Sequence, residues 1–258
     1  MSNYLISQFG LSGRKALVTG AGRGIGKAIA LALAGAGAEV CIHYNTSRQA
    51  AEDTVSEILQ NGGNGCALQA DLTNSAQTQG LAEQVKARWG LLDILVNNAG
   101  DLVQRCPIAD LTDELIETVL RVNVHTALYC IRACMPLLRL APQPCVVNLS
   151  SVAAHHGGGN GAVLYASTKG AIHTLTRGLA KELAPGIRVN GIAPGVIMTD
   201  FHRRHSNDES LRNFAAGAPL KRLGTPEEVA GAAVFLCSPA ASFVTGEVIE
   251  INGGLWLA

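Results

Sequence analysis

Short apolar runs alternate with longer segments of helical periodicity along almost the whole chain, which restricts the fold more than any other feature. Seven runs have the length and composition of buried strands, at 15–18, 39–42, 66–69, 94–96, 145–149, 188–192 and 248–251. Helical patterns fall between them, at 28–34, 50–60, 75–89, 113–138, 165–183 and 226–236. Single helices between buried strands require crossover connections. We therefore predict an α/β chain with a doubly wound parallel sheet of about seven strands and helices on both faces.

No linker, repeat or charge block divides the sequence, so we predict a single domain over residues 1–258. One stretch, 198–224, is long and polar and has only weak periodicity. Because long excursions after a strand often cover binding sites, this stretch is predicted to be a substrate lid.

Composition and charge exclude several classes of function. The chain has 258 residues, 20 basic and 20 acidic side chains and 48% hydrophobic residues, which indicates a globular protein. A neutral chain with few aromatic residues does not resemble a nucleic-acid binder. The longest apolar run, 28–37, is well short of the ~20 residues of a membrane span. With no charged segment before an apolar one at the N-terminus, we predict no signal peptide and a cytoplasmic location.

Metal binding is not expected either. The seven cysteines are scattered and form no C-x-x-C pair, which argues against a zinc site or a disulfide framework. The histidine pairs at 155–156 and at 202 and 205 lack a carboxylate or cysteine at ligand spacing.

A glycine-rich loop follows the first strand directly and opens into an Ala-rich helix. Glycines in this position let the backbone turn tightly and approach a pyrophosphate, while the helix N-terminus offers free N–H groups. This strand–loop–helix context predicts a Rossmann-type dinucleotide site. Its predicted cofactor-binding residues are Gly20, Arg23, Gly24, Ile25 and Gly26.

Tyr165 and Lys169 are four residues apart in a helical segment and therefore lie on one face. A free tyrosine, with a pKa near ~10, is a poor base at neutral pH. A nearby ammonium favours the phenolate, which is a physical reason for this pair at this spacing.

Two further polar positions fall where a catalytic site is expected. Ser150 and Ser151 follow the fifth strand, and a hydroxyl at the carboxyl end of a parallel strand can donate to a developing oxyanion. Asn123 lies on the apolar stripe of its helix, where a buried amide needs hydrogen-bond partners. A catalytic role and a structural role at a backbone kink are both open for Asn123.

These motifs together resemble the short-chain dehydrogenase/reductase family over about residues 10–255. The resemblance is carried by the glycine spacing after Thr19, and by Asp71-Leu72, 97–100, Asn123, Ser150-Ser151, 165–169, Pro194-Gly195, Thr245-Gly246 and 252–254. It implies that Tyr165 is the general acid/base, with Ser151 as the catalytic serine. It also implies that Lys169 holds the nicotinamide ribose and that Asn123 holds a water for a proton relay. Further cofactor contacts implied by the resemblance are Asp71, Leu72, Asn98, Ala99, Gly100, Tyr165, Lys169, Pro194, Gly195, Ile197 and Thr199.

The end of the second strand predicts a preference for NADP(H). Members that prefer NAD carry an acidic residue there, which binds the ribose hydroxyls and repels a 2′-phosphate. Here Tyr44 takes that position, and Asn45, Thr46 and Ser47 follow as neutral donors. Arg23, in the glycine loop, can reach the same phosphate.

The sequence therefore predicts an NADP(H)-dependent oxidoreductase that interconverts a ketone and a secondary alcohol. Alternatives are a 3-oxoacyl-thioester reductase acting on a carrier protein and a catalytically idle dinucleotide-binding regulator. An enoyl reductase is disfavoured, because that branch of the family spaces Tyr and Lys further apart. Just before the fifth strand, Arg139 is the one basic residue that could help to dock an acidic carrier protein. Pro185 stands where carrier-protein reductases of the family often have another basic residue. The expected partners are a small carbonyl or alcohol substrate and three more copies of the chain in a homotetramer, with no nucleic acid and no membrane.

Overall fold

The computed structural model describes residues 3–257. Its centre is a seven-stranded sheet in which every neighbouring pair is parallel, in the order β3-β2-β1-β4-β5-β6-β7. The strands are β1 (Lys15–Val18), β2 (Glu39–Tyr44), β3 (Asn64–Gln69), β4 (Ile94–Asn97), β5 (Cys145–Leu149), β6 (Arg188–Pro194) and β7 (Val248–Ile251). The predicted doubly wound parallel sheet is confirmed.

Helices connect the strands and cover the sheet. In chain order they are α1 (Asn3–Phe9), α2 (Gly24–Gly35), α3 (Arg48–Gln60), α4 (Ser75–Trp89), α5 (Asp113–Leu120), α6 (Thr126–Leu138), α7 (Ala153–His156), α8 (Val163–Leu183), α9 (Asp200–His205), α10 (Asp208–Gly217) and α11 (Pro226–Cys237).

The sheet is buried on both faces, which explains why its strands are almost uniformly apolar. Along β1, Ala16 and Val18 belong to the core beneath α2, α3 and α11. Leu17, between them, points to the opposite face and packs in the core beneath α4, α6 and α8. All three side chains are fully buried.

The strand order reverses between β1 and β4. The chain runs outward from β1 through β2 to β3 and then returns to pair β4 with the other side of β1. The connections after β1 and β4 consequently leave on opposite sides, and a crevice opens at the carboxyl ends of these two strands. Ligands of open α/β sheets bind at such a switch point.

Three local features differ from the patterns found in the sequence. The predicted helix over 113–138 is interrupted by a π-helical turn at Arg121–His125, between α5 and α6. The polar stretch 198–224 contains two helices, α9 and α10, and α1 precedes the first strand. Within residues 3–257, none of the helices combines the length and apolarity that a bilayer crossing requires.

Candidate active site

The glycine loop between β1 and α2 forms one end of the crevice. Gly20 and Gly24 adopt φ angles of +62° and +56°, a left-handed conformation that side chains disfavour. At Gly24 a Cβ atom would also lie 3.4 Å from the Thr199 side chain, so the loop closely approaches the connection after β6. Helix α2 begins at Gly24, and no side chain caps its N-terminus. Its first N–H groups therefore remain available to an anionic ligand.

Thr19 and Asn98 hold the glycine loop against the end of β4. The Thr19 hydroxyl is buried and accepts hydrogen bonds from the amides of Asn98, at 2.9 Å, and Ala99, at 3.0 Å. In return, the Asn98 side chain donates to the carbonyl oxygen of Thr19 at 2.8 Å. These reciprocal bonds fix the two sides of the switch point relative to each other.

His43 is a buried residue near this loop that the sequence analysis did not identify. Its Nδ1 atom accepts a hydrogen bond from the Gly20 amide at 3.1 Å, and its Nε2 atom donates to the carbonyl oxygen of Ala70 at 3.0 Å. Burial lowers the pKa of His43 to about 4, so the ring is neutral at physiological pH. The neutral ring thus joins β2, the glycine loop and the end of β3. The one signal in the sequence that could have identified this residue is a histidine inside an otherwise apolar, buried strand.

The end of β2 presents neutral polar groups to the crevice. Asn45 and Thr46 are exposed there, while Tyr44 and Ser47 are half-buried. Arg23 is exposed beside them, and among residues 3–257 no carboxylate lies within ion-pair distance of it. Arg48, by contrast, pairs with Glu52 at 2.8 Å on the surface of α3.

Tyr165, Lys169 and Ser151 meet at the other end of the crevice. Tyr165 and Lys169 lie one turn apart on α8, with the Lys169 Nζ atom 5.7 Å from the centre of the Tyr165 ring. The same Nζ atom donates a hydrogen bond to the carbonyl oxygen of Leu149 at 2.8 Å, which ties α8 to the end of β5. Ser151 follows β5 and lines the same part of the crevice as Tyr165.

Burial governs the protonation of this pair. It raises the pKa of Tyr165 to about 12, the nearby charge of Asp101 adds to the increase, and the hydrogen bond with Ser151 opposes it. Burial also lowers the pKa of Lys169 to about 8. From the sequence alone we expected the ammonium to favour the phenolate, whereas in this structure desolvation outweighs that effect. The phenol is therefore protonated at neutral pH and can donate a proton.

The two adjacent serines have different environments. Ser150 is buried, and its hydroxyl donates to the main-chain carbonyl oxygen of Lys169 at 3.0 Å. The Ser151 hydroxyl accepts a hydrogen bond from the Ala153 amide at 3.1 Å and is half-buried at the wall of the crevice. Ser151 is thus the serine whose hydroxyl faces the crevice near Tyr165 and lowers the pKa of its phenol.

Asn123 lies in the π-helical turn and is buried. Its side-chain amide donates to the carbonyl oxygens of Val119, at 3.0 Å, and Asp101, at 2.7 Å, while Oδ1 accepts from the Asp101 amide at 3.2 Å. Because the side chain bonds to the carbonyl four residues earlier, the backbone kink and the buried amide satisfy each other. Single π-turns of this kind frequently occur at functional sites.

The crevice is a cavity of about 380 Å³ that runs from the glycine loop to Tyr165. Most of the predicted site residues line it. They are Gly20, Arg23, Gly24, Ile25, Gly26, Tyr44, Asn45, Thr46, Ser47, Asn98, Ala99, Gly100, Ser151, Tyr165, Lys169, Pro194, Gly195, Ile197 and Thr199.

Three of the predicted residues lie outside the lining. Asn123 is behind Gly100, where a Cβ atom would stand 2.8 Å from Oδ1 of Asn123 and 3.3 Å from Nζ of Lys169. Leu72 is buried in the core beneath α4. The Asp71 carboxylate accepts hydrogen bonds from the amide and the hydroxyl of Thr73.

The 198–224 segment supplies one wall beside Tyr165. The Phe201 ring on α9 lies 5.9 Å from the Tyr165 ring and 4.9 Å from the His205 ring. His202, Arg204 and Phe214 from the same segment also line the cavity. In the part of the chain that the structure describes, no three His, Cys, Asp or Glu side chains are grouped as metal ligands would be.

Comparison with known proteins agrees with this geometry. A family model described as enoyl-(acyl carrier protein) reductase matches residues 20–256. A 3-oxoacyl-[acyl-carrier-protein] reductase of Synechocystis is 38% identical over 251 residues, which cover 95% of this chain and 98% of that protein.

Two solved structures align over nearly the full length. The RhlG/NADP active-site complex of Pseudomonas aeruginosa has a TM-score of 0.90 and 38% identity, covering 97% of this chain and 99% of that one. A 7α-hydroxysteroid dehydrogenase in complex with NADH and 7-oxoglycochenodeoxycholic acid has a TM-score of 0.92 and 36% identity, covering 98% of both chains. This chain is an oxidoreductase that belongs to the short-chain dehydrogenase/reductase family.

Proposed function

We propose that this protein is an NADP(H)-dependent reductase/dehydrogenase that interconverts a small ketone and its secondary alcohol. The observation that carries the proposal is the shared cavity, which has the glycine loop and α2 at one end and Tyr165, Ser151 and Lys169 at the other. Its residues fit a dinucleotide, since no side chain caps the start of α2 and a Cβ atom at Gly24 would fill the narrow space between the loop and Thr199. A bound NADP(H) would supply or accept the hydride.

In the reducing direction, the Tyr165 hydroxyl donates a proton to the carbonyl oxygen as a hydride adds to the carbonyl carbon. The Ser151 hydroxyl donates a hydrogen bond to the same oxygen as negative charge develops on it. Lys169 remains mostly protonated at neutral pH, and its positive charge stabilises the phenolate that forms on Tyr165. Asn123, behind Gly100, completes the group and would hold the water that returns a proton. In the oxidising direction these steps reverse.

The chain's own residues support specificity for NADP(H), whereas the relatives include both an NADP complex and an NADH complex. Arg23 is exposed at the cavity, with no carboxylate partner among residues 3–257. The residues at the end of β2 are neutral donors, and none of them would repel a 2′-phosphate. A cation with free donors beside an uncharged strand end favours the phosphorylated cofactor.

A small free ketone is the preferred substrate class. We propose that 198–224 is a lid over a single domain. Its Phe201 and Phe214 give the site beside Tyr165 an aromatic wall. The second candidate is reduction of a 3-oxoacyl thioester, favoured by the similarity to the Synechocystis reductase. A carrier protein is the less favoured partner, because it is acidic and the loop before β5 offers only one basic side chain, Arg139.

We also propose a homotetramer. Leu128 on α6 and Val163 on α8 are each about 40% exposed, and Leu257 near the C-terminus is 80% exposed. Burial of such side chains against symmetry-related copies would remove them from water. Light scattering at micromolar concentration tests this, and a monomeric mass would contradict it.

The function is tested by following NADPH oxidation with a panel of keto-esters, diketones, sugars and acyl thioesters. We expect turnover of at least one small ketone. Turnover of acyl thioesters alone would favour the second candidate. If NADPH binds but no carbonyl is reduced, the chain is a dinucleotide-binding regulator instead.

A further inference from the structure

Asp101 follows the end of β4 and Gly100, and its carboxylate contacts the lid. The Arg204 Nη1 atom donates to Oδ2 at 2.9 Å, and the His205 Nε2 atom donates to Oδ1 at 2.9 Å. Both donors lie on α9. One carboxylate therefore holds the last turn of this helix with two separate hydrogen bonds.

The main chain of Asp101 contacts the opposite side of the site. Its amide donates to Oδ1 of Asn123 at 3.2 Å, and its carbonyl oxygen accepts from Nδ2 of Asn123 at 2.7 Å. The Asn123 side chain thus binds both peptide groups of this one residue. Any shift of the Asp101 backbone must move or break these bonds.

Lys169 lies against the same loop as Asn123, next to Gly100. A Cβ atom at Gly100 would stand 2.8 Å from the Asn123 Oδ1 atom and 3.3 Å from the Lys169 Nζ atom. Because these two groups fill the space on the Cβ side of Gly100, a displacement of the loop towards them would also disturb the Lys169 ammonium.

We propose that Asp101 is a positioning residue that couples the seating of helix α9 to the placement of Asn123 and Lys169. With α9 seated, Arg204 and His205 hold the Asp101 side chain and thereby its backbone. Asn123 and Lys169 then take the positions seen in the structure. When the substrate leaves and α9 moves away from the site, Asp101 loses its hydrogen bonds to Arg204 and His205. Asn123 and Lys169 are then held less firmly in the positions that proton transfer requires. The proposal rests on the proposed function, because these positions affect a rate only if Asn123 and Lys169 serve proton transfer at Tyr165.

The hydrogen bonds between Asp101 and α9 are strengthened by partial shielding from water. The His205 side chain is 10% exposed and that of Asp101 is 28% exposed, so both are partly shielded from water. When α9 is seated, Phe201 also lies next to Tyr165. Closure of the lid and alignment of Asn123 and Lys169 therefore occur together. The neighbouring Arg203 differs in that it pairs with Asp200 of its own helix at 3.5 Å and is 74% exposed. Arg203 therefore provides a matched control on the same helix.

The test compares D101N, R204A, the double variant and R203A. We expect D101N and R204A each to lower kcat about tenfold, with NADPH affinity within about twofold of the wild type. The double variant should lose no more than the worse single one, because both substitutions remove the same contact. R203A should behave as the wild type. Chymotrypsin, which cleaves at Phe201, Leu211 or Phe214, should cut the lid faster in D101N and R204A.

A second measurement does not depend on turnover. None of the hydrogen bonds of Arg204 reaches the π-turn at Arg121–His125. If the coupling exists, R204A should still accelerate hydrogen–deuterium exchange of that turn, and R203A should not. Arg204 is about half exposed, so its replacement does not threaten folding.

The outcomes separate the two proposals. Unchanged exchange at the π-turn in R204A, or additive losses in the double variant, would overturn the coupling. Faster lid cleavage with unaltered kcat would show that Asp101 only latches the lid, which also overturns it. A wild-type protein that reduces no carbonyl refutes the proposed function. In that case the exchange experiment alone decides whether Asp101 transmits movement of the lid.

Discussion

The Ser150 hydroxyl donates a hydrogen bond to the main-chain carbonyl oxygen of Lys169 at 3.0 Å, and both residues are buried. This bond joins the end of β5 to α8, while the neighbouring Ser151 lines the crevice together with Tyr165. The two serines that are adjacent in the sequence thereby have different environments, since Ser150 binds the main chain of α8 and Ser151 faces the crevice.

Replacing each serine by alanine tests this division. We expect S151A to lower kcat about a hundredfold, because a donor to the developing oxyanion is lost. S150A should cost about 1 kcal/mol of folding free energy and keep kcat within several-fold. The measurements are steady-state kinetics and urea unfolding of both variants. If S150A were the inactive variant and S151A the active one, the assignment would be reversed.

Tyr165→Phe should remove nearly all turnover in both directions. The phenol that transfers the proton is lost, while the glycine loop at the other end of the cavity is untouched. We expect the Kd for NADPH, measured by fluorescence titration, to stay within a few-fold of the wild type. Retention of a tenth of the wild-type kcat would be incompatible with Tyr165 as the general acid/base.

Cofactor choice should favour NADPH over NADH, and R23A should reduce that preference. A charge-assisted hydrogen bond to a phosphate contributes roughly 1.5–3 kcal/mol, which corresponds to about ten- to a hundredfold in discrimination. The ratio of kcat/KM for the two cofactors with one good ketone measures it. R48A is the control, since Arg48 is paired with Glu52 on the surface and its loss should leave the ratio within about twofold. Equal use of both cofactors by the wild type would refute this prediction.

Lys169→Met should make the protein inactive but more stable at pH 7. Burial lowers the folded-state pKa of Lys169 from 10.5 to about 8, so below pH 8 the folded protein holds a charge that it solvates poorly. Between pH 8 and 10.5 the folded state loses this proton while the unfolded state keeps it, and the wild type gains stability as the pH rises. The shift corresponds to about 3 kcal/mol, reduced by the lost hydrogen bond to Leu149.

Thermal unfolding of the wild type and of K169M at pH 7 and at pH 10 checks the direction of this pH dependence of stability. The advantage of K169M should be largest at pH 7 and should shrink towards pH 10. A variant that is less stable than the wild type at pH 7, or a difference that does not change with pH, would contradict the prediction.

The sheet was predictable because its signals are local. Each strand is a short run buried on both faces, and each connection is a helix long enough to cross over, so the parallel order follows from general rules of chain connection. The glycine loop and the Tyr165–Lys169 spacing were equally visible, because their chemistry depends on residues close in the chain. The π-turn was not visible. Residues 113–138 have continuous helical periodicity, whereas Asn123 in the turn also bonds to Asp101, a tertiary partner 22 residues earlier.

The amino-acid sequence by itself determined the doubly wound sheet, the glycine loop that opens α2, and the placement of Tyr165 and Lys169 on one face of a helix, since these depend on periodicity and short spacing. Tertiary structure alone decided which serine is engaged by Lys169, how His43 bonds to Gly20, and how Asp101 joins α9 to Asn123. It also decided the protonation of Tyr165 and Lys169. The physical reason is the same in each case. Burial and hydrogen-bond partners are set by groups distant in the chain, and desolvation exists only once the chain has closed around them.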